Sequence, residues 1–150
     1  MQSQLNIAVV TPVFNDWDSL TVLVDRLQSL QVLDTFHIVQ LLVVDDGSSV
    51  PFRRDALKAK FPISIIELNA NMGHQRAISI GLSYAEAHLK TVDHVVVMDC
   101  DGEDRPEDIY TLLKTQNERP EQGIQQTIRP PYGQQGRAYQ QKYCLSEPKE

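Results

Sequence analysis

Cysteine is scarce: Cys100 and Cys144 stand alone in 150 residues, without a Cys-x-x-Cys pair or histidines at ligand spacing. That argues for a reducing compartment and against a zinc site. Long apolar runs are missing too. None approaches the ~20 residues that span a bilayer. The first ten residues, MQSQLNIAVV, lack the basic start and cleavage pattern of a signal peptide. The expectation is a cytoplasmic protein, able to dock on the cytoplasmic face of a membrane or on a membrane partner. Basic charge is short as well: 14 Lys and Arg stand against 20 Asp and Glu, for a net charge of −6. General nucleic-acid binding wants the opposite sign. The first strand-like segment runs into Thr11-Pro12. It is followed neither by the GxGxxG of a dinucleotide-binding Rossmann domain nor by the Gly-rich loop of a sugar nucleotidyltransferase. The acidic pair of a receiver-type phosphoacceptor is absent there as well.

What the chain does have is alternation. LNIAVV (5–10), QLLVV (40–44), ISIIE (63–67) and HVVVM (94–98) are short and rich in β-branched residues. Strands covered on both faces read this way. Between them, Leu20, Leu23, Val24, Leu27 and Leu30 make one helical stripe, and Ala77, Ile80, Gly81, Tyr84 and Ala85 another. Ile109, Leu112 and Leu113 begin a third after Pro106, a good first-turn residue. Strand–helix alternation predicts an α/β fold with a mostly parallel sheet.

After about residue 115 the pattern stops. Residues 116–150 hold eight Gln and four Pro, and only Ile124, Ile128 and Leu145 from the large aliphatic and Phe set. Such a segment buries too little apolar area to offset the entropy of ordering. The predicted organisation is a folded unit over 1–115 and a mostly disordered tail over 116–150.

In open parallel sheets, ligands bind beyond the carboxyl ends of the strands. Here those ends are polar: TPVFND (11–16) after the first strand, DDGSS (45–49) after the second and DCDGED (99–104) after the fourth. Asp45 and Asp46 precede Gly47, which permits a positive-φ turn. They are either plain turn residues capping amides or acceptors for a base or sugar. Asp99, Asp101, Glu103 and Asp104 place four carboxylates in six positions. Oxygen-only donors select hard cations, Mg²⁺ or Mn²⁺. An EF-hand is excluded, because positions six and twelve from Asp99 are Asp104 and Tyr110. Asp104 and Glu107 also suit the start of the helix after Pro106, as acidic caps. His74 and Arg76 would project near a helix start, where anions bind, though His74 also reads as a surface imidazole. Phe14 and Trp17 either stack on a base or pack in the core.

Four segments, VVTPVFND (9–16), LLVVDDGSS (41–49), NMGHQRAISIGLSYA (71–85) and VVVMDCDGEDRPEDI (95–109), together resemble the inverting GT-A glycosyltransferases of family 2. The kind most alike is the polyprenyl- and dolichyl-phosphate sugar transferases. The resemblance covers roughly residues 5–115, the nucleotide-binding half. It implies a GT-A, Rossmann-like fold, a nucleoside-diphosphate sugar, a divalent cation (Mg²⁺ or Mn²⁺) and a polyprenyl-phosphate or other membrane-associated acceptor. Matched position by position, Pro12, Phe14 and Asp16 fall in the first nucleotide-binding loop. Phe14 replaces the family's commoner Tyr and Asp16 its commoner Glu. Asp46 falls where the nucleobase is held. Arg76 lies in a donor-binding segment. Asp99 and Asp101 match the DxD, with Asp101 the direct metal ligand, Asp99 assisting, and Glu103 a further one. The family's acceptor half is expected after these residues, and the text past 115 does not resemble it. The competing expectation is therefore a truncated, catalytically inactive remnant that binds nucleotide weakly or acts through a partner.

Overall fold

A computed structural model of the chain describes residues 4–31, 35–118, 124–126 and 143–146. Four strands alternate with three helices, in the order β1 (Leu5–Val13), α1 (Trp17–Leu30), β2 (Phe36–Asp45), β3 (Ile63–Glu67), α2 (His74–His88), β4 (His94–Val97) and α3 (Asp108–Glu118). A short 3-10 turn, Arg54–Ala56, lies between β2 and β3. Two further strands follow, β5 (Ile124–Gln126) and β6 (Tyr143–Ser146).

The sheet order is β3-β2-β1-β4-β6-β5. β1 pairs in parallel with both β2 and β4, and β2 with β3. Chain direction across the sheet therefore reverses at β1: β2 and β3 extend one way and β4 lies on the other side. That reversal is a switch point, and the crevice it opens is at the carboxyl tips of β1 and β4. β1 is central and covered on both faces, so Ile7, Ala8, Val9 and Val10 are all fully buried.

Each face has its own core. Leu20, Leu23, Val24 and Leu27 of α1 and Ile109, Leu112 and Leu113 of α3 pack with Ile7, Val9, Ile38, Leu41 and Val96. Each such buried side chain contributes on the order of 1.5–3 kcal/mol. On the other face, Ala77, Ile78 and Ala85 of α2 cover Val10, Leu42, Val44 and Val97. The approach there is close: a Cβ on Gly81 would sit 2.6 Å from Val10 Cγ1.

The structure departs from the sequence expectation in three places. β2 starts at Phe36 rather than residue 40. Ile7 faces Ile38 but Ala8 faces Gln40, so Val39 is an extra residue in β2. This bulge lets Ile38 and Leu41, three apart, share one face. β1 runs on through Pro12 to Val13, where a missing N–H matters least, near a strand end. Finally, within the segment expected to be tail, β6 pairs antiparallel with β4 and β5 with β6. Those seven residues add to the sheet. Residues 116–118 of the expected tail continue α3, with Gln116 buried at 2% exposure, and the rest of it lies outside the described residues.

Candidate functional site

The polar strand ends meet. The Asp46 amide donates to Val13 O at 2.8 Å, joining the tips of β2 and β1. Cys100 Sγ lies 3.7 Å from Pro12 O, joining the tips of β4 and β1. The Cys100 thiol is pushed up to about 12, chiefly by burial, with Asp16, Asp101 and Asp99 adding and Thr11 opposing. It is therefore a protonated packing group at neutral pH, and the acidic neighbours show how near Asp16 comes to the β4 loop.

Asp46 is buried, at 4% exposure. Its Oδ1 accepts from Met72 N at 2.6 Å and its Oδ2 from Gly73 N at 3.1 Å. The carboxylate thus fixes the loop ahead of α2. Asp45 Oδ1 takes the Ser48 amide at 2.9 Å. Both acids serve backbone amides here, and Asp46 retains lone pairs beyond the two it uses. Gly47, at φ 73°, lets this turn press against Ala70 and Asn71.

The next residue along is His74, the first of α2. Its Nε2 lies 3.2 Å from Asp99 Oδ1, with the imidazole half exposed and the carboxylate 12% exposed. Asp99 N in turn donates to Asp104 Oδ2 at 2.7 Å. Asp104 is 6% exposed and lies ahead of α3. It braces the acidic loop from below, a role beyond the helix cap expected of it. The carboxylate is buried beneath the loop it holds. Asp101 is exposed, with Oδ1 accepting from Glu103 N at 2.9 Å. Gly102, at φ 86°, makes the turn between them.

Asp99 is raised from 3.8 to about 6. Burial is the largest cause; His74 opposes it, and Asp104, Asp101 and Glu103 add to it. Among the described residues, no three of His, Cys, Asp and Glu already form a group that holds a metal. The donor chemistry nonetheless fits a hard cation: the loop supplies only carboxylate oxygens there, and their mutual repulsion is what added positive charge would relieve.

The raised Asp99 makes a stability prediction. The folded chain holds this proton up to about pH 6, whereas the unfolded chain releases it near 3.8. Between those values the folded state binds more protons, so stability falls as pH rises. The cost is absent below about 3.8 and complete above about 6. Its slope is at most about 1.4 kcal/mol per pH unit. Denaturant unfolding of parent and Asp99→Asn across pH 3.5–7.5 checks this. The parent should lose stability relative to the variant on rising through that window and run parallel to it above. A constant difference throughout would contradict the assignment.

The remaining expected residues fall as follows. Pro12 is buried in β1 and Phe14 is 51% exposed on the rim. Asp16 caps α1, accepting from Ser19 N at 3.2 Å. Arg76 is exposed on the first turn of α2. Trp17 packs on Phe52 at 4.7 Å between centroids and donates its indole N–H to Val50 O, the packing role rather than the stacking one. Beside the crevice, a hollow of about 270 Å³ lies between the start of α1 and Val50–Arg53.

Asn15 was not singled out by the sequence reading. It sits at φ 55°, and its Oδ1 accepts from Ser49 N and Val50 N, at 2.8 and 2.9 Å. Its own amide donates to Ser48 Oγ at 2.8 Å. This latch ties the loop after β1 to the loop after β2. The available signal was Asn itself, the non-glycine residue that best tolerates positive φ.

A mostly parallel α/β sheet with acidic loops at its switch point defines the Rossmann-like GT-A class, and comparison bears out that fold. The chain resembles the structure of S. aureus TarS residues 1–349 with a TM-score of 0.56, at 19% identity, over 89% of this chain and 38% of that one. It matches the sequence profile "Glycosyl transferase family 2" over residues 8–148, and the chain belongs to that family. The match runs beyond residue 115 into the expected tail. The dodecaprenyl-phosphate galacturonate synthase of Rhizobium johnstonii is 30% identical over 113 residues, 73% of this chain and 32% of that protein. The undecaprenyl-phosphate 4-deoxy-4-formamido-L-arabinose transferase of Pseudomonas syringae pv. syringae is 32% identical over 113 residues, covering 72% and 32%. The chain thus spans about a third of the length of the curated relatives it matches. No described helix is long and apolar enough to cross a membrane.

Proposed function

We propose that residues 1–115 bind a nucleoside-diphosphate sugar across the tips of β1, β2 and β4, as the donor half of an inverting glycosyltransferase. One observation carries this reading: three strand tips and the start of α2 converge on one carboxylate loop at the switch point. Phe14 offers the nucleobase an exposed aromatic face beside Pro12 and Asp16. Asp46 acts at the base side, through its remaining lone pairs and the 72–73 amides it orients. Arg76 gives the first turn of α2 an exposed cation, where the helix dipole already favours anions. Asp101, Asp99 and Glu103 would hold Mg²⁺ or Mn²⁺, which when bound neutralises the departing diphosphate as a Lewis acid.

The relatives' names place polyprenyl phosphates among their substrates. A polyprenyl phosphate is the proposed acceptor, with the protein working at the cytoplasmic face of a membrane. A lipid phosphate is already anionic, so its oxygen attacks the anomeric carbon with little help from a base. The second reading is nucleotide binding without turnover. It is favoured by the cation donors, which are not assembled into a three-ligand group. A transfer assay with polyprenyl phosphate separates the two.

Donor binding is tested by thermal unfolding with a panel of nucleoside diphosphates, with and without Mn²⁺. Ligand at a hundredfold over its Kd stabilises by about 2.7 kcal/mol. For a domain of this size that is a rise of several degrees. The rise should need the cation and should favour some bases. No nucleotide-dependent rise, or one indifferent to Mn²⁺, would count against the donor-site reading.

A further inference from the structure

We infer that His74 is a positioning residue for Asp99, holding its carboxylate for the cation and coupling the base side of the site to the cation side. The inference rests on the donor-site reading above and deepens it.

The first ground is geometry. His74 Nε2 is 3.2 Å from Asp99 Oδ1, an ion-pair contact made across 25 residues of sequence. The second Asp99 oxygen has no hydrogen-bond partner among the described residues. Asp99 thus meets the imidazole through one oxygen only. A single tether fixes a carboxylate rotamer and leaves donor capacity, as second-shell partners of metal ligands do.

The second ground is what holds His74. α2 begins at this residue, and its cap, Gly73, has φ 91° and ψ 150°, a conformation reserved in practice for glycine. Gly73 N and Met72 N are both fixed by Asp46. The imidazole is thus placed by a backbone that the β2 tip clamps. Asp46, the 72–73 amides, His74 and Asp99 form one continuous chain from β2 to β4. Asp104 continues it by holding the Asp99 amide.

The third ground is the alternative role. The His74 ring is exposed at the start of α2, but its Nε2 is already against the Asp99 carboxylate. Arg76, two residues on, is exposed and makes no ion pair among the described residues. Contact with the diphosphate suits Arg76, and the imidazole is left as the tether.

The test has two arms. In the first, imidazole ¹⁵N shifts of His74 are recorded in the full chain without nucleotide or cation. The parent should show an Nε2 signal displaced by the adjacent carboxylate, and Asp99→Asn should move that signal. An unmoved signal overturns the tether whatever the chain binds. In the second, nucleoside diphosphate is titrated with and without Mn²⁺. His74→Ala should lose about tenfold in affinity with Mn²⁺ and little without it. His74→Gln, whose amide N–H reaches for the same oxygen, should recover most of that loss. Equal losses with and without Mn²⁺ and no rescue by Gln would instead make His74 a direct donor contact and overturn the inference. Absence of any cation-dependent binding in the parent, with the ¹⁵N signature intact, would sink the donor-site reading alone.

Discussion

Asp101→Asn is expected to weaken cation-dependent nucleotide binding by about 2 kcal/mol, the scale of a lost charge-assisted contact. That is roughly a thirtyfold rise in Kd. The side chain is exposed, and its one internal bond accepts the Glu103 amide through Oδ1. An asparagine keeps an oxygen for that bond, so the loop turn should survive and stability should change little. What disappears is negative charge at the place assigned to the metal. Asp104→Asn makes the contrast. That carboxylate is buried and takes the Asp99 amide. Asparagine keeps an oxygen for that amide too, but here its NH2 replaces a carboxylate oxygen in a buried setting, which should cost about 1–2 kcal/mol of folding stability. Its effect on binding should be the smaller, arising only as the loop loosens. Isothermal calorimetry with Mn²⁺, paired with denaturant unfolding, reads both. Equal binding losses in the two variants would remove the special role of Asp101.

The largest effect on folding is expected at Gly47→Ala. Two costs add there. The residue stands at φ 73°, where an L side chain costs about 1–2 kcal/mol. A Cβ would also lie 2.5 Å from the Ala70 carbonyl carbon and 2.6 Å from Asn71 N, both backbone atoms that cannot rotate away. Overpacking of this kind costs a further 1–3 kcal/mol or so, for a total of about 3 kcal/mol. Gly102→Ala isolates the first cost. Its φ is 86°, but nothing lies within 4 Å of the added carbon. Urea unfolding should therefore rank Gly47→Ala well below Gly102→Ala. Indistinguishable midpoints would mean that the loop at 70–71 is not packed against the β2 turn.

The sequence made some of this legible and hid the rest, for physical reasons. β1, β3 and β4 announce themselves because buried parallel strands are nearly continuous β-branched runs. The first half of β2 does not, since His37 and Gln40 interrupt it and the bulge at Val39 breaks the period of two. The acidic loop was legible because no local turn needs carboxylates at both 99 and 101. The roles of Asp104, Asn15 and His74 were not. Each is defined by a partner brought near only by the fold: the Asp99 amide, the amides at 49–50 and the Asp99 carboxylate. Asp46 could be read as a base holder or an amide cap, and in the structure it caps amides. The strands at 124–126 and 143–146 were illegible because three and four residues amid Gln- and Pro-rich text are too short to show a strand period, and pairing of β6 to the β4 edge and of β5 to β6 supplies the structure instead.

The central claim is that the tips of β1, β2 and β4 form one cation-dependent donor site. Backbone amide chemical shifts, followed while nucleoside diphosphate is added with and without Mg²⁺, test it residue by residue. The account predicts changes at Phe14–Asp16, Asp46–Gly47, Met72–Arg76 and Asp99–Glu103, appearing together and only when Mg²⁺ is present. Changes confined to the hollow at Val50–Arg53, or the same changes without Mg²⁺, would contradict it.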